Sequence, residues 1–337
     1  MLLDRRLFLR SALLGSSSAV LLSRLSIPAF AQSLDSLKLF IPAAPGGGWD
    51  QTGRAMEYAL KTANIVQNIQ FEHVPGAGGA VGLPRFAGMR GQGNVLMVGG
   101  MVMVGALIAN KAPVDLTQTT PIARLTGEFE VVVVPPQSSI KSMQELVAQF
   151  KQDPGKVSWA GGSAGGTDHI LIGMIAQAVG VDPRKVNYVA YSGGGPAQAA
   201  LLGGHVTAGV SGWGEFAEQI KAGKLRALAV SADKRIEGID VPTLKEQGID
   251  VELFNWRGVF APPGIDDKQR QALLDLVDRM VKSDPWKQEL QKRDWTSIYL
   301  SGEQFAQYIK SETDRITAIL RNLGLAVTGC AVAVRRF

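Results

Sequence analysis

Glycine-rich loops that follow short apolar strands restrict the fold of this chain more than any other feature. Residues 37–41 alternate like a strand, and apolar residues recur at helical spacing from Ala55 onward. Glycine allows a loop backbone to approach a ligand closely, and free N–H groups together with the helix dipole attract an anion. This stretch therefore predicts an anion-binding loop between a strand and a helix. Its candidate ligand-binding residues are Pro45, Gly46, Gly47, Gly48, Trp49 and Asp50.

The same arrangement recurs along the chain. Glycine loops follow predicted strands at residues 75–82, 161–169 and 192–195, and the rhythm of strands and helices restarts near Ser142. The pattern predicts two similar α/β halves with ligand loops at the ends of the strands. Residues 131–134 are expected to form a buried strand within a long connector. The further candidate ligand-binding residues are Gly78, Gly79, Met101, Ser163, Gly165, Gly166, Thr167, Asp168 and Tyr191.

The first 31 residues are typical of an export signal. A twin arginine, Arg5 and Arg6, precedes an apolar stretch and the small-x-small site 29–31. The apolar stretch is too short for a membrane anchor, and Arg24 interrupts it. The signal resembles the bacterial twin-arginine type, with the ordinary secretory route as the alternative. We expect cleavage after Ala31 and a mature protein in the periplasm.

Charge and cysteine content narrow the function classes. The formal net charge is +5, and removing the signal, with its four arginines and one aspartate, leaves +2. That balance gives little support to a nucleic-acid partner. The single cysteine, Cys330, excludes an internal disulfide and a cysteine-based metal site. The three histidines have no metal-ligand spacing, so no metal site is expected. No P-loop occurs, and Gly76, Gly78 and Gly82 miss the dinucleotide spacing by one residue, so no cofactor is expected.

An exported serine hydrolase is the sharpest alternative. Residues 161–165 match the nucleophile-elbow pattern GxSxG, with Ser163 at its centre. A hydrolase also needs a base, and the only histidines after this serine are His169 and His205. His169 lies six residues after Ser163, at the start of the helix that is predicted to follow the loop. The final third of the chain contains no histidine. This alternative is therefore weaker than a binding protein.

The residues of the first loop carry a family resemblance. Residues 42–54, together with 75–79, 161–169 and 191–204, resemble the substrate-binding proteins of tripartite tricarboxylate transporters, the TctC or Bug family. The resemblance covers roughly residues 37–325. A tail after Ala326 is longer than the family usually has, and the twin-arginine signal is not its commonest export route.

The resemblance implies a type II periplasmic binding-protein fold in which two α/β domains hinge around a ligand cleft. The expected domains are residues 32–132 plus 254–337, and residues 133–253. It also implies a non-enzymatic, monomeric receptor that passes a small di- or tricarboxylate, such as citrate, to membrane permease subunits. A sensor that reports the ligand to a membrane kinase is a further alternative. Backbone amides, hydroxyls and waters are expected to hold the carboxylate, with Asp50 and Asp168 each capping its own helix.

Overall fold

A computed structural model describes residues 34–326 of the 337-residue chain. The predicted export signal and the tail after Ala326 lie outside the described residues. Within that range no helix is both long enough and apolar enough to cross a membrane.

Ten strands run through the described residues. They are β1 (Ser36–Ile41), β2 (Asn68–His73), β3 (Val95–Gly100), β4 (Thr120–Val134), β5 (Ser158–Gly161), β6 (Asn187–Ala190), β7 (Ala208–Gly212), β8 (Arg226–Val230), β9 (Phe254–Ala261) and β10 (Thr296–Ser301).

Ten α-helices accompany these strands. They are α1 (Gly48–Thr62), α2 (Gly82–Ala87), α3 (Met101–Ala109), α4 (Met143–Gln152), α5 (Thr167–Ala178), α6 (Gly194–Leu202), α7 (Trp213–Lys221), α8 (Asp267–Lys282), α9 (Asp284–Lys292) and α10 (Gly302–Asn322).

The strands form one sheet in the order β2-β1-β3-β9-β4-β7-β5-β6, with β8 and β10 also paired to β4. Parallel pairs form both outer parts of this sheet, β2-β1-β3 on one side and β7-β5-β6 on the other. Helices connect the parallel strands, so the glycine loops gather where those strands end. This is the α/β alternation that the sequence predicted.

Strand β4 runs through both parts of the sheet. Its first section, as far as Phe129, pairs antiparallel with β9, and its second section, from Glu130, pairs with β7 and β8. Residues 131–134 are buried, as expected, but they belong to a 15-residue strand rather than to a connector. The unbroken run of apolar residues there is what a strand covered on both faces requires.

Two further expectations need correction. Helix α1 begins at Gly48 with Gly47 as its N-cap, so Asp50 lies inside the first turn. Helix α5 likewise begins at Thr167 with Gly166 as its N-cap, which places Asp168 in the first turn. Each N-cap residue is a glycine with extended backbone, so neither aspartate caps its helix. Strand β10 was not predicted, because its alternation is short and its pairing partner lies far away in the chain.

Candidate functional site

Four helix N-termini surround one cavity of about 590 Å³. Helices α1, α5, α6 and α7 each begin at its wall with glycine at or beside the first residue. First-turn backbone N–H groups and the positive ends of the helix dipoles therefore face a common space. Such an arrangement binds an anion without a dedicated cation.

In the first loop, the backbone folds back onto the carboxylate of Asp50. The Gly46 N–H donates to Asp50 Oδ2 at 2.9 Å, and Gly46 adopts a φ of +89°. The other oxygen, Oδ1, lies 2.7 Å from His73 Nε2 and 3.5 Å from Arg54 Nε. Asp50 therefore holds the loop from behind, and the amides of Gly47 and Gly48 remain at the cavity.

These neighbours set the protonation of Asp50. Burial acts to raise the pKa of this carboxyl, but the Gly46 N–H, His73 and Arg54 outweigh it and hold the pKa below its usual value. Asp50 is therefore ionised at neutral pH.

The third loop repeats this construction with a different side-chain environment. The Gly162 N–H donates to Asp168 Oδ2 at 2.5 Å, and the Tyr188 hydroxyl donates to the carbonyl of Gly162 at 2.8 Å. The His169 ring stacks on Tyr188 with ring centroids 4.0 Å apart, and its Nδ1 accepts the Gly165 N–H. Burial lowers the pKa of His169 to about 4, so this histidine is neutral.

Asp168 faces a second buried carboxyl group. Glu130, on β4, is fully buried, and neither of its oxygens accepts a hydrogen bond from an N–H or O–H group of the described residues. Burial raises the pKa of Asp168 to about 7, with a further contribution from Glu215. Burial and then Asp168 raise the pKa of Glu130 well above its usual value. Together the two acids therefore hold at least one proton at neutral pH.

A buried ion pair lies beneath the cavity. Arg257 Nη2 pairs with Glu128 Oε2, and Glu128 Oε1 accepts the Gly214 N–H at 2.5 Å. A Cβ atom on Gly48 would lie 2.6 Å from Arg257 Nη2, and one on Gly212 would lie 2.8 Å from the Glu128 carboxyl. These two helix starts therefore need glycine because the ion pair occupies the adjacent space.

Ten of the predicted residues line the cavity. The wall includes Pro45, Gly46, Gly47, Gly48, Trp49, Gly78, Ser163, Gly166, Thr167 and Asp168. Gly78 brings the second and third loops together, since a Cβ atom there would lie 3.6 Å from Ser163 Oγ.

Five predicted residues lie away from the wall, each for a packing reason. Asp50 lies behind the first loop with His73, and Met101 is fully buried in the core. A Cβ atom on Gly79 would meet Met103, and Gly165 packs on helix α3. Tyr191 packs against the smaller of two apolar clusters, formed around Phe129 and Trp213.

Several wall residues were missing from the predicted set. They include Ser192, Gly193, Gly194, Gly195, Pro196, Ser211, Gly212, Gly214, Glu215, Asn255 and Arg257. The glycine run 193–195 carried a usable signal, since it follows a strand just as the other loops do. Glu215 and Asn255 carried none, because a charge in a helix and an amide in a strand are commonplace.

The geometry does not favour a hydrolase. His169 Nδ1 accepts a backbone N–H of the third loop, and its ring is held against Tyr188. Among the hydrogen bonds of the described residues, none joins the Ser163 hydroxyl to a histidine. A nucleophilic serine needs a base within hydrogen-bond reach.

Comparison with known proteins points to one family. The family model described as "Tripartite tricarboxylate transporter family receptor", TctC, matches residues 54–325. The "UPF0065 protein in gbd 5'region" of Cupriavidus necator is 31% identical over 333 residues, 96% of this chain and 99% of that protein. "Protein BugT" of Bordetella pertussis is 27% identical, covering 86% of this chain and 89% of that protein.

Solved structures agree in fold. A structure described as a periplasmic transporter has a TM-score of 0.78 and 25% identity, covering 89% of this chain and 99% of that one. Rpa4515 of Rhodopseudomonas palustris, solved with adipate, has a TM-score of 0.80 and 20% identity, covering 88% and 99%. MatC of the same organism, solved with malate, has a TM-score of 0.74 and 23% identity, covering 85% and 99%. These likenesses confirm the predicted α/β periplasmic binding-protein fold.

Proposed function

This chain belongs to the tripartite tricarboxylate transporter receptor family, and we propose that its ligand is a di- or tricarboxylate of the citrate type. The family consists of solute-binding receptors rather than enzymes, so the predicted receptor role is confirmed and the hydrolase alternative is wrong. We further propose that the protein delivers this ligand to the membrane permease subunits of such a transporter.

The convergence of four helix N-termini on one cavity carries the proposal. Loop amides at Gly47 and Gly48, with the Thr167 hydroxyl, offer donors to a carboxylate without a lysine among the lining residues. The Thr167 hydroxyl has no hydrogen-bond partner among the described residues, although it is fully buried. Buried donors of this kind are normally satisfied, and a ligand oxygen or a bridging water would satisfy this one.

Relatives of the same fold support the ligand class. MatC was solved with malate and Rpa4515 with adipate, and both of these ligands are dicarboxylates. A cavity of about 590 Å³ is large enough for molecules of this size.

Strand β4 supports a hinged arrangement. We propose that residues 32–132 with 254–337 form one domain and 133–253 the other. The pairing of β4 changes from β9 to β7 between Phe129 and Glu130, close to this division. A ligand that touches the loops of both domains would favour their closed arrangement. We also propose that the monomer works in the periplasm after cleavage behind Ala31.

Substitution Gly47→Val tests the proposed site. Gly47 has an ordinary φ of −76°, and a Cβ atom there would meet only Ala44 O, at 3.8 Å. The fold therefore tolerates valine, whereas the added methyl groups obstruct the loop amides. A thermal-shift screen with citrate, malate and adipate comes first, because a ligand at a hundred times its Kd adds about 2.7 kcal/mol to the free energy of unfolding.

Calorimetric titration should then show an affinity at least ten-fold weaker for Gly47→Val, with an unchanged melting temperature in the absence of ligand. Gly155→Val, at an exposed glycine outside the cavity, is the matched control and should bind normally. Equal affinity of both variants would remove the first loop from the site.

A further inference from the structure

The wall formed by helices α5 and α7 carries more negative charge than a receptor for simple anions requires. Asp168 and Glu215 line the cavity, and Glu128 and Glu130 lie directly behind them, close enough to perturb one another. We call these four side chains the acidic wall. Among the described lining residues Arg257 is the one basic group, and it is already paired with Glu128.

Hydrogen-bond acceptors also outnumber donors there. Glu215 Oε2 accepts the Ser211 hydroxyl at 2.6 Å, and Glu215 forms no ion pair within the described residues. Asn255 lines the cavity and is 8% exposed, yet its Oδ1 has no hydrogen-bond partner among the described residues. An acceptor left without a donor in a buried place costs about 1–3 kcal/mol, so a donor is expected to fill the space.

The position of Glu215 is built into the backbone. A Cβ atom on Gly194, at the start of helix α6, would overlap Glu215 Oε2 and would lie 2.6 Å from Ser211 Oγ. The glycine therefore makes room for the glutamate, and the serine fixes one of its oxygens. A carboxylate that merely extended into solvent would need neither.

A second carboxylate of the ligand would meet like charge at this wall. An ammonium group, by contrast, brings a positive charge and three N–H donors, which are the missing elements. The amides of the first loop and the guanidinium of Arg257, whose Nη1 also lacks a partner, suit the carboxylate of the same ligand.

We propose that the ligand carries an amino group as well as its carboxylate, and that Glu215 together with the Asn255 side-chain oxygen receives the ammonium. The inference rests on the proposed carboxylate receptor, and it places an amino group at the wall where a citrate-type ligand would bring a further carboxylate. Glu215 is then the residue that determines specificity.

Three probes with a six-carbon chain test this inference by calorimetric titration at pH 7.5. Adipate carries two carboxylates, 2-aminoadipate adds an ammonium group, and 6-aminohexanoate has an ammonium in place of one carboxylate. At least one amino probe should bind about ten-fold or more tightly than adipate, which corresponds to one charge-assisted hydrogen bond. Adipate binding at least as tightly as both amino probes would overturn the inference.

The variant Glu215→Gln distinguishes the contribution of the acidic wall to binding from that of the rest of the site. It should weaken the preferred amino probe about ten-fold or more and leave adipate unchanged or tighter. Glu218→Gln, an exposed position on the same helix, is the matched control and should bind like the wild type. Equal weakening of both probes, or no change for either, would contradict a role for Glu215 in selecting the ammonium.

Other outcomes distinguish this inference from the proposed function. Calorimetry in buffers of different ionisation enthalpy shows whether protons are taken up on binding. Tight adipate binding with proton uptake would mean that a side chain of the acidic wall becomes protonated and so tolerates the second carboxylate. That result overturns the amino group but leaves the carboxylate receptor in place. Binding of citrate or malate without binding of any amino probe would have the same meaning. Absence of binding to every carboxylate would overturn the proposed function as well.

Discussion

The first and third loops have the same local construction and opposite electrostatics. In each, a glycine N–H donates to an aspartate in the first turn of the next helix, Gly46 to Asp50 and Gly162 to Asp168. Asp50 faces His73 and Arg54, whereas Asp168 faces Glu130 and lies near Glu215. The pKa of Asp50 is held below its usual value by these partners, whereas burial raises the pKa of Asp168 to about 7.

The comparison shows that a shared loop motif does not fix the charge at a binding site. Both motifs give a carboxylate one backbone donor, which favours the ionised form. The surroundings decide the outcome, since burial and then Glu215 raise the pKa of Asp168, whereas His73 on β2 and Arg54 help to lower that of Asp50. One loop is consequently a stable anion, and the other exchanges a proton near neutral pH.

Removing the buried cation beneath the cavity should have the largest effect. In Arg257→Leu, Glu128 stays buried without its counter-charge, which typically costs about 3–5 kcal/mol of unfolding free energy. Urea denaturation measures this loss. Arg54→Leu, at the half-exposed partner of Asp50, is the control and should cost less than about 1 kcal/mol. Similar losses in the two variants would mean that the buried Arg257–Glu128 pair contributes no more to stability than the exposed contact of Arg54 with Asp50.

The pH dependence of stability should distinguish the loops next. The folded-state pKa of Asp168, about 7, exceeds its unfolded value of 3.8, so the folded protein holds this proton more tightly. Its stabilising contribution is complete below pH 4 and is lost as the pH rises through 7. Between pH 5 and 8 this amounts to about 2–3 kcal/mol, which Asp168→Asn should remove from the stability profile.

Thermal melts of the wild type and Asp168→Asn across this pH range give the measurement. Glu130→Gln is a second variant that acts on the same carboxyl pair, and it should also flatten the profile. A full slope retained in both variants would show that the paired acids do not hold this proton.

The smallest effect is expected at Asp50. Asp50→Asn loses the charge on the contact with His73 and should cost about 1 kcal/mol near neutral pH. Because the folded-state pKa of Asp50 is lowered, its stabilisation is present above pH 4 and is lost as the pH falls further. The difference in melting temperature between variant and wild type should therefore vanish in acid. A difference that grew in acid would contradict the lowered pKa of Asp50.

The sequence was sufficient to predict the loops and their approximate place. Glycine runs after apolar strands are local signals, and the carboxyl ends of parallel strands meet at one edge. Ten predicted residues consequently reached the cavity wall. Met101 and Tyr191 lie away from the wall because the sequence does not fix side-chain direction at a strand end, where one residue of displacement turns a side chain to the opposite face.

The charged part of the site could not be predicted in the same way. Glu130 and Asp168 lie 38 residues apart in sequence, and only the pairing of β4 with β7 and of β7 with β5 brings them together. The role of Gly194 likewise depends on Glu215, which reaches it from another helix. Such contacts depend on the order of the strands in the sheet, and that order cannot be predicted from a single sequence.

The pairing of β3 with β9 has a consequence for the time that the chain needs to fold. Strand β3 is buried throughout, and its antiparallel partner, opposite at Val98 and Val259, is synthesised about 160 residues later. At roughly 5–20 residues per second, that interval is roughly 8–30 s. During it, β3 presents an apolar edge of the kind that pairs with other chains. Residues 162–215, which supply the second half of the cavity wall, are made within this interval, while β3 is still without its partner.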